Sequence, residues 1–145
     1  MRRLGMGVLL VLVTTVAGVT AVGVVVTDVR KACQITVPDG WTSKRGTAYS
    51  PGEQVSATVH GLRAGQTFEA GKALTQQVMK PIKVLSDDGK HFIYTMDPGA
   101  AAPGKHGWEV VVNTTPVCTL AITFDGVGDE AQMKAMAASL GPIAK

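Results

Sequence analysis

The sequence predicts an α+β domain, an antiparallel sheet packed with helices in an α/β/α-type sandwich, set behind an N-terminal apolar helix. Three observations carry that prediction. Residues 4–27 form a run without a single charged side chain. Beyond it, several short runs alternate apolar and polar residues, the period of two expected of half-buried strands. Two further runs repeat their apolar residues at intervals of three and four, the period of an amphipathic helix.

The chain opens with Met1-Arg2-Arg3 and passes directly into the apolar run. At about 1.5 Å per residue, a helix over residues 4–27 would be roughly 36 Å long, enough to cross a hydrocarbon core of about 30 Å. Residues 1–29 are therefore read as a transmembrane anchor or a signal peptide, and residues 30–145 as an extracytoplasmic domain. Val19-Thr20-Ala21 offers a small-residue cleavage site, but the apolar character resumes at Val22, which favours a retained anchor. Cys33 follows Arg30-Lys31-Ala32, which is no lipobox. The basic start stays inside by the usual bias of short N-terminal segments. The expected location is the cell membrane, single-pass, with the C-terminal domain outside; a cleaved leader would make the protein secreted.

In the outer domain, residues 33–37 alternate as a first strand, and Pro38-Asp39-Gly40 turns the chain before Trp41. Residues 44–53 lack periodicity and read as a loop or irregular hairpin. Residues 55–62 alternate again. The period then changes: Phe68, Gly71, Leu74 and Val78 mark one helical stripe, with Thr67 as its N-cap and Pro81 beyond its end. Residues 82–85 and 91–96 flank Asp88-Gly89, a hairpin signal. Residues 97–107, rich in Ala, Gly and Pro, form the longest expected loop. A second hairpin follows, over 108–112 and 117–124. In the last helix Met133, Met136, Ala137 and Leu140 share one face, Asp129 with Gln132 forms a capping box, and Gly141-Pro142 stops the run.

Cys33 and Cys118 are the only two cysteines. In an exported domain so small and even a count predicts a disulfide, with two buried thiols or a metal pair lacking further ligands as the alternatives. Of 14 Lys and Arg and 11 Asp and Glu, only Arg2, Arg3 and Asp28 precede Arg30, so the outer domain keeps a slight basic excess without a charge run. That pattern gives no footprint for nucleic acid or for anionic lipid.

Val37-Pro38-Asp39-Gly40-Trp41 on the first strand, the middle helix, the hairpins ending in residues 119–124 and the closing helix through Ser139-Leu140 resemble the PsbP/Mog1-type fold, whose exported bacterial members include anchored proteins. The resemblance implies a non-enzymatic binding or accessory module and assigns no catalytic residue. No cofactor is expected either.

The residues themselves offer no catalytic constellation. His60, His91 and His106 lack metal-ligand spacing. Asp87-Asp88-Gly89 matches only the start of a calcium loop. Gly-x-Ser-x-Gly is absent, and Ser139 falls at a helix end. An enzyme would require His91 and His106 to converge with Asp97. Trp41 and Trp108 are the candidate partner surface, since aromatic anchors dominate interface energies; core packing is their alternative role. The sequence thus predicts a membrane-tethered extracytoplasmic module, not an enzyme, that associates with a protein partner in a membrane or envelope complex and binds no nucleic acid. The alternative is a secreted carrier of a small apolar ligand.

Overall fold

A computed structural model describes residues 23–126 and 128–145. The anchor-or-signal assignment falls mostly on residues 1–22, outside the described residues. Among the described residues no helix is long and apolar enough to cross a membrane.

The expected helix-packed sandwich is overturned. The described chain is mostly β, with ten strands in two antiparallel sheets and only two short α-helices. The strands are β1 (Gly23–Thr27), β2 (Cys33–Pro38), β3 (Thr42–Lys44), β4 (Thr47–Tyr49), β5 (Val55–Gly61), β6 (Lys80–Asp87), β7 (His91–Asp97), β8 (His106–Val112), β9 (Cys118–Phe124) and β10 (Gly141–Pro142). The helices are α1 (Phe68–Val78), between β5 and β6, and α2 (Glu130–Ser139), after β9. One sheet has seven strands in the order β3-β4-β5-β9-β8-β7-β6, the other three in the order β1-β2-β10.

The correction begins inside the apolar run. Residues 23–27 are strand, not helix, with Gly23 opposite Pro38 and Thr27 opposite Gln34. Hydropathy cannot distinguish a lipid-facing helix from a buried strand, but three consecutive valines, stiff at χ1, favour the strand. β1 lets β2 become the centre of a small sheet, which supplies much of the layer that helices were expected to fill. The stretch read as a loop or irregular hairpin is the β3–β4 hairpin followed by a 3-10 turn at Pro51–Glu53.

One face of the large sheet carries Ala57, Val59, Val110, Val112, Leu120 and Ile122, packed with Ile35 and Val37 of β2 and with α2. From α2 come Met133, Met136 and Ala137, each at most 5% exposed. Burying a methionine of this kind stabilises by about 1.5–3 kcal/mol. Asp129 caps α2, accepting the Gln132 amide at 3.1 Å, and Ser139 accepts the Thr36 amide at 2.8 Å, joining α2 to β2.

The opposite face packs Phe92, Tyr94 and Val111 against Leu62, Phe68 and Val117 beneath α1. Thr67 caps α1 as expected, accepting the Ala70 amide at 3.1 Å. Gly71 sets how closely α1 lies on the sheet: a Cβ there would meet Leu62 Cδ1 at 2.9 Å and Val117 Cγ1 at 3.3 Å. Farther along, the stripe leaves the core, with Leu74 41% and Val78 68% exposed. Lys72 ties α1 to the sheet edge through Asp87 at 3.0 Å, and this hydrogen bond raises its pKa above the usual lysine value.

Candidate functional site

Cys33 and Cys118 form a disulfide, with Cα atoms 5.8 Å apart and both residues fully buried. It joins β2 of the small sheet to β9 of the large one. At that end of the molecule the β1–β2 turn, the β5–α1 loop, the β8–β9 loop and the C-terminal residues enclose a cleft of about 900 Å³. Its wall is apolar where Leu62 and Val117 come up from the core and where Pro116 and Ile143 cover them. Its rim carries Arg30, Lys31, Arg63 and Lys145, all exposed, and among the described residues no acidic side chain lines it.

Asp28 builds the turn that presents two of those cations. Only 2% exposed, its carboxylate accepts the amides of Ala32 at 2.7 Å, Cys33 at 2.9 Å, Gly61 at 3.2 Å and Arg30 at 3.3 Å. Burial alone would raise its pKa, but these amide bonds outweigh burial and hold it below the ordinary aspartate value. Lys31, next to the turn's apex, is held at φ 54° while its amide bonds Asp28 O at 3.0 Å. Asp28→Asn puts an NH2 group among amide donors and removes the charge. It is expected to cost about 1–3 kcal/mol, seen as a lower urea midpoint at unchanged slope. Because the folded pKa is depressed, the wild-type advantage is present above the unfolded value of 3.8 and is lost as pH falls through the folded value.

A second concave region lies where α2 stops short of the sheet edge. The core cluster under the small sheet and α2 extends across β5, β9 and β8 to Ile93 of β7, and β6 contributes no residue to it. Ile82 and Leu85 of β6 stand 68% and 41% exposed there, and a shallow cleft of about 600 Å³ runs from them past Trp108 to Phe124 and Met133. β6 ends the sheet.

A third depression, about 500 Å³, lies on the α1 side above β4, β5 and β9, and Thr47, Ser56, Thr58 and Thr123 bring hydroxyls to it. Those hydroxyls satisfy one another, Thr47 with Thr58 at 3.0 Å and Ser56 with Thr123 at 2.6 Å.

The residues singled out in the sequence distribute differently from one another. Trp41 and Trp108 are each 7% exposed and belong to the core cluster, so neither ring stands out as an anchor, although Trp108 floors the cleft beside β6. His91 and His106 begin adjacent antiparallel strands, so the register, with His91 opposite Val112 and Met96 opposite Gly107, puts them at opposite ends of the hairpin. Asp97 follows Met96 and shares the His106 end. Among the described residues no group of three or more His, Cys, Asp or Glu can hold a metal ion. Asp88 belongs to its turn, accepting the amides of His91 at 2.6 Å and Lys90 at 2.8 Å, and these bonds, that from His91 first, lower its pKa.

Two features escaped the sequence reading. The basic rim is assembled from three separate segments, none of them a charge run, which corrects the impression of evenly spread charge. Glu109, in the interior strand β8, is 4% exposed, and its Oε2 has no hydrogen-bond partner among the described residues. Its signal was legible in Trp-Glu-Val-Val-Val, where one carboxylate stands in an otherwise apolar strand.

The fold and the site together define a small, disulfide-stapled, mostly β domain with a basic-rimmed apolar cleft at the stapled end. In comparisons with known proteins, no family model and no curated protein matches the chain.

Proposed function

We propose that the protein is a membrane-tethered extracytoplasmic module, without catalytic activity of its own, that docks on a protein partner in a membrane or envelope complex. The observation that carries this reading is the apolar surface at the β6 edge, where Ile82 and Leu85 are 68% and 41% exposed and share one cleft. Contiguous exposed apolar residues rimmed by charge mark interaction sites. Lys80 and Lys83, together with Pro81 and two register shifts along β6, protect the edge from strand addition. Docking through side chains is therefore favoured over β-pairing.

The disulfide supports an oxidising compartment. Placing residues 23–27 in β1 leaves residues 4–22 as the apolar run, about 28 Å as a helix, still close to the thickness of a hydrocarbon core. A secreted carrier is the second reading, and one observation favours it: β1 starts at Gly23, so cleavage after Ala21 would leave every described strand whole.

The test is recovery of a C-terminally tagged chain from mildly solubilised membranes, with intact mass. A full-length chain with a stoichiometric partner is expected, and Ile82→Lys/Leu85→Lys should lose the partner with an unchanged melting temperature, because both side chains are exposed. A chain starting near Val22 and recovered alone would replace this reading with the carrier. Partner retention by the double variant would move the interface away from β6.

A further inference from the structure

We propose that the cleft at the disulfide end is a binding site for a single-chain anionic amphiphile, an alkyl or acyl chain ending in a carboxylate or phosphate. This inference is independent of the partner surface at β6, which lies on another side of the molecule. Its ground is the conjunction of charge and shape. Arg30, Lys31, Arg63 and Lys145 converge from the β1–β2 turn, the β5–α1 loop and the C-terminal segment onto one rim. None of the ion pairs among the described residues uses any of the four. Asp28, the carboxylate behind the rim, is already taken up by four amides.

Four like charges brought together repel one another, and an oxyanion held between them relieves that repulsion with charge-assisted hydrogen bonds. A small anion would need only the rim. Beneath the rim, however, Leu62 and Val117 are 5% and 4% exposed and form the apolar floor with Pro116 and Ile143. The volume of about 900 Å³ falls at the upper end of the range for small-molecule sites, roughly 300–1,000 Å³. A head that suits the cations joined to a tail that suits the floor fills both parts. Nucleic acid would leave the floor uncovered, and a neutral lipid would leave the cations unanswered.

The position of the cleft favours a monomer over a bilayer surface. β1 enters at Gly23 and runs roughly 14 Å, at about 3.4 Å per step, before the turn that carries Arg30 and Lys31. On the tethered reading, the cleft therefore opens at the end away from the tether.

The probe is octyl phosphate, titrated into the full-length, untagged chain in zwitterionic nanodiscs and followed by amide shifts of residues 62–66 and of Thr114, Thr115 and Val117. Saturable shifts are expected, with affinity at least about tenfold above that for inorganic phosphate and for octyltrimethylammonium. Arg30→Gln/Lys31→Gln should weaken octyl phosphate about tenfold, and the uncharged Ile143→Asn should weaken it without altering the response to inorganic phosphate. All three residues are at least partly exposed, and unchanged melting temperatures will verify folding. Equal affinity for inorganic phosphate would overturn the proposal in favour of a simple anion site. Recruitment of the chain to phosphatidylglycerol vesicles, without saturable octyl phosphate binding, would overturn it in favour of a membrane-surface contact. Absence of shifts with every probe, or cleft variants that bind octyl phosphate like the wild type, would remove the site.

Discussion

Raising the pH from 5 to 9 is expected to remove roughly 4 kcal/mol of folding stability through Glu109, and Glu109→Gln should abolish that loss. The carboxyl lies in β8 between Ala121 of β9 and Tyr94 of β7 in the strand register. Burial without a compensating charge pushes its pKa from 4.5 up to about 8, since a carboxylate removed from water loses hydration that nothing replaces. The folded state thus retains a proton that the unfolded chain releases near its ordinary value. Stability is fully present below 4.5, declines by about 1.36 kcal/mol per pH unit as pH rises through the interval, and is lost above about 8. Urea unfolding of wild type and Glu109→Gln at pH 5, 7 and 9 isolates the effect, because every other titrating group cancels in the difference. Equal pH slopes for the two proteins would mean that the carboxyl is ionised in the fold.

Ionisation of Glu109 also bears on the sheet around it. Tyr94, the cross-strand neighbour, has its own pKa pushed up to about 12, first by burial and in smaller part by the charge of Glu109. Its hydroxyl reaches Met79 O at 3.5 Å, at the C-terminal end of α1. The alkaline loss should therefore appear first as weaker amide-exchange protection where α1 meets β7, near the apolar residues Val78 and Val84.

Local structure was legible in the sequence wherever a pattern repeated within one segment. Thr67 and Asp129 cap their helices as their residue types require, Asp88-Gly89 turns β6 into β7, and the alternation in residues 55–62 fixes which side chains of β5 face the core. The fold class was not legible, because it turned on which elements cover the sheet. Gly23–Thr27 reads as apolar whether it is helix or strand, and only its pairing with β2 decides. Once that strand forms, a second sheet does the covering and the helix-packed sandwich is excluded. Leu74 and Val78 show the same limit from the other side: the helical stripe is real, yet α1 leaves the sheet partway along it, so half the stripe faces outward.

The candidate site was less legible still. Arg30, Arg63 and Lys145 are more than thirty residues apart in sequence, and no pattern in any one segment announces that their loops meet. The aromatic residues chosen as anchors were taken by the core, as large apolar side chains usually are when a small domain has few of them.

Removal of the disulfide, by Cys33→Ala/Cys118→Ala, is expected to cost about 2–5 kcal/mol and to lower the melting temperature by about 10–20 °C. The bridge closes a loop of 85 residues, for which the chain-entropy account gives about 4–5 kcal/mol. Both alanines fit space already shielded from solvent, so the loss reports the cross-link and the small voids left by two sulfurs. The effect should extend to the cleft. Ala32 and Val117 line it and immediately neighbour the bridged cysteines in sequence, so the bridge holds the β1–β2 turn against the β8–β9 loop. Without it, Arg30 and Lys31 no longer have a fixed distance from the Val117 wall, and octyl phosphate binding should weaken at temperatures where the variant remains folded. Reducing the wild type should reproduce both changes. A variant that melts like the wild type would show that β2 is held to the large sheet by packing alone, and unchanged binding in a destabilised variant would show that Asp28 suffices to shape the turn.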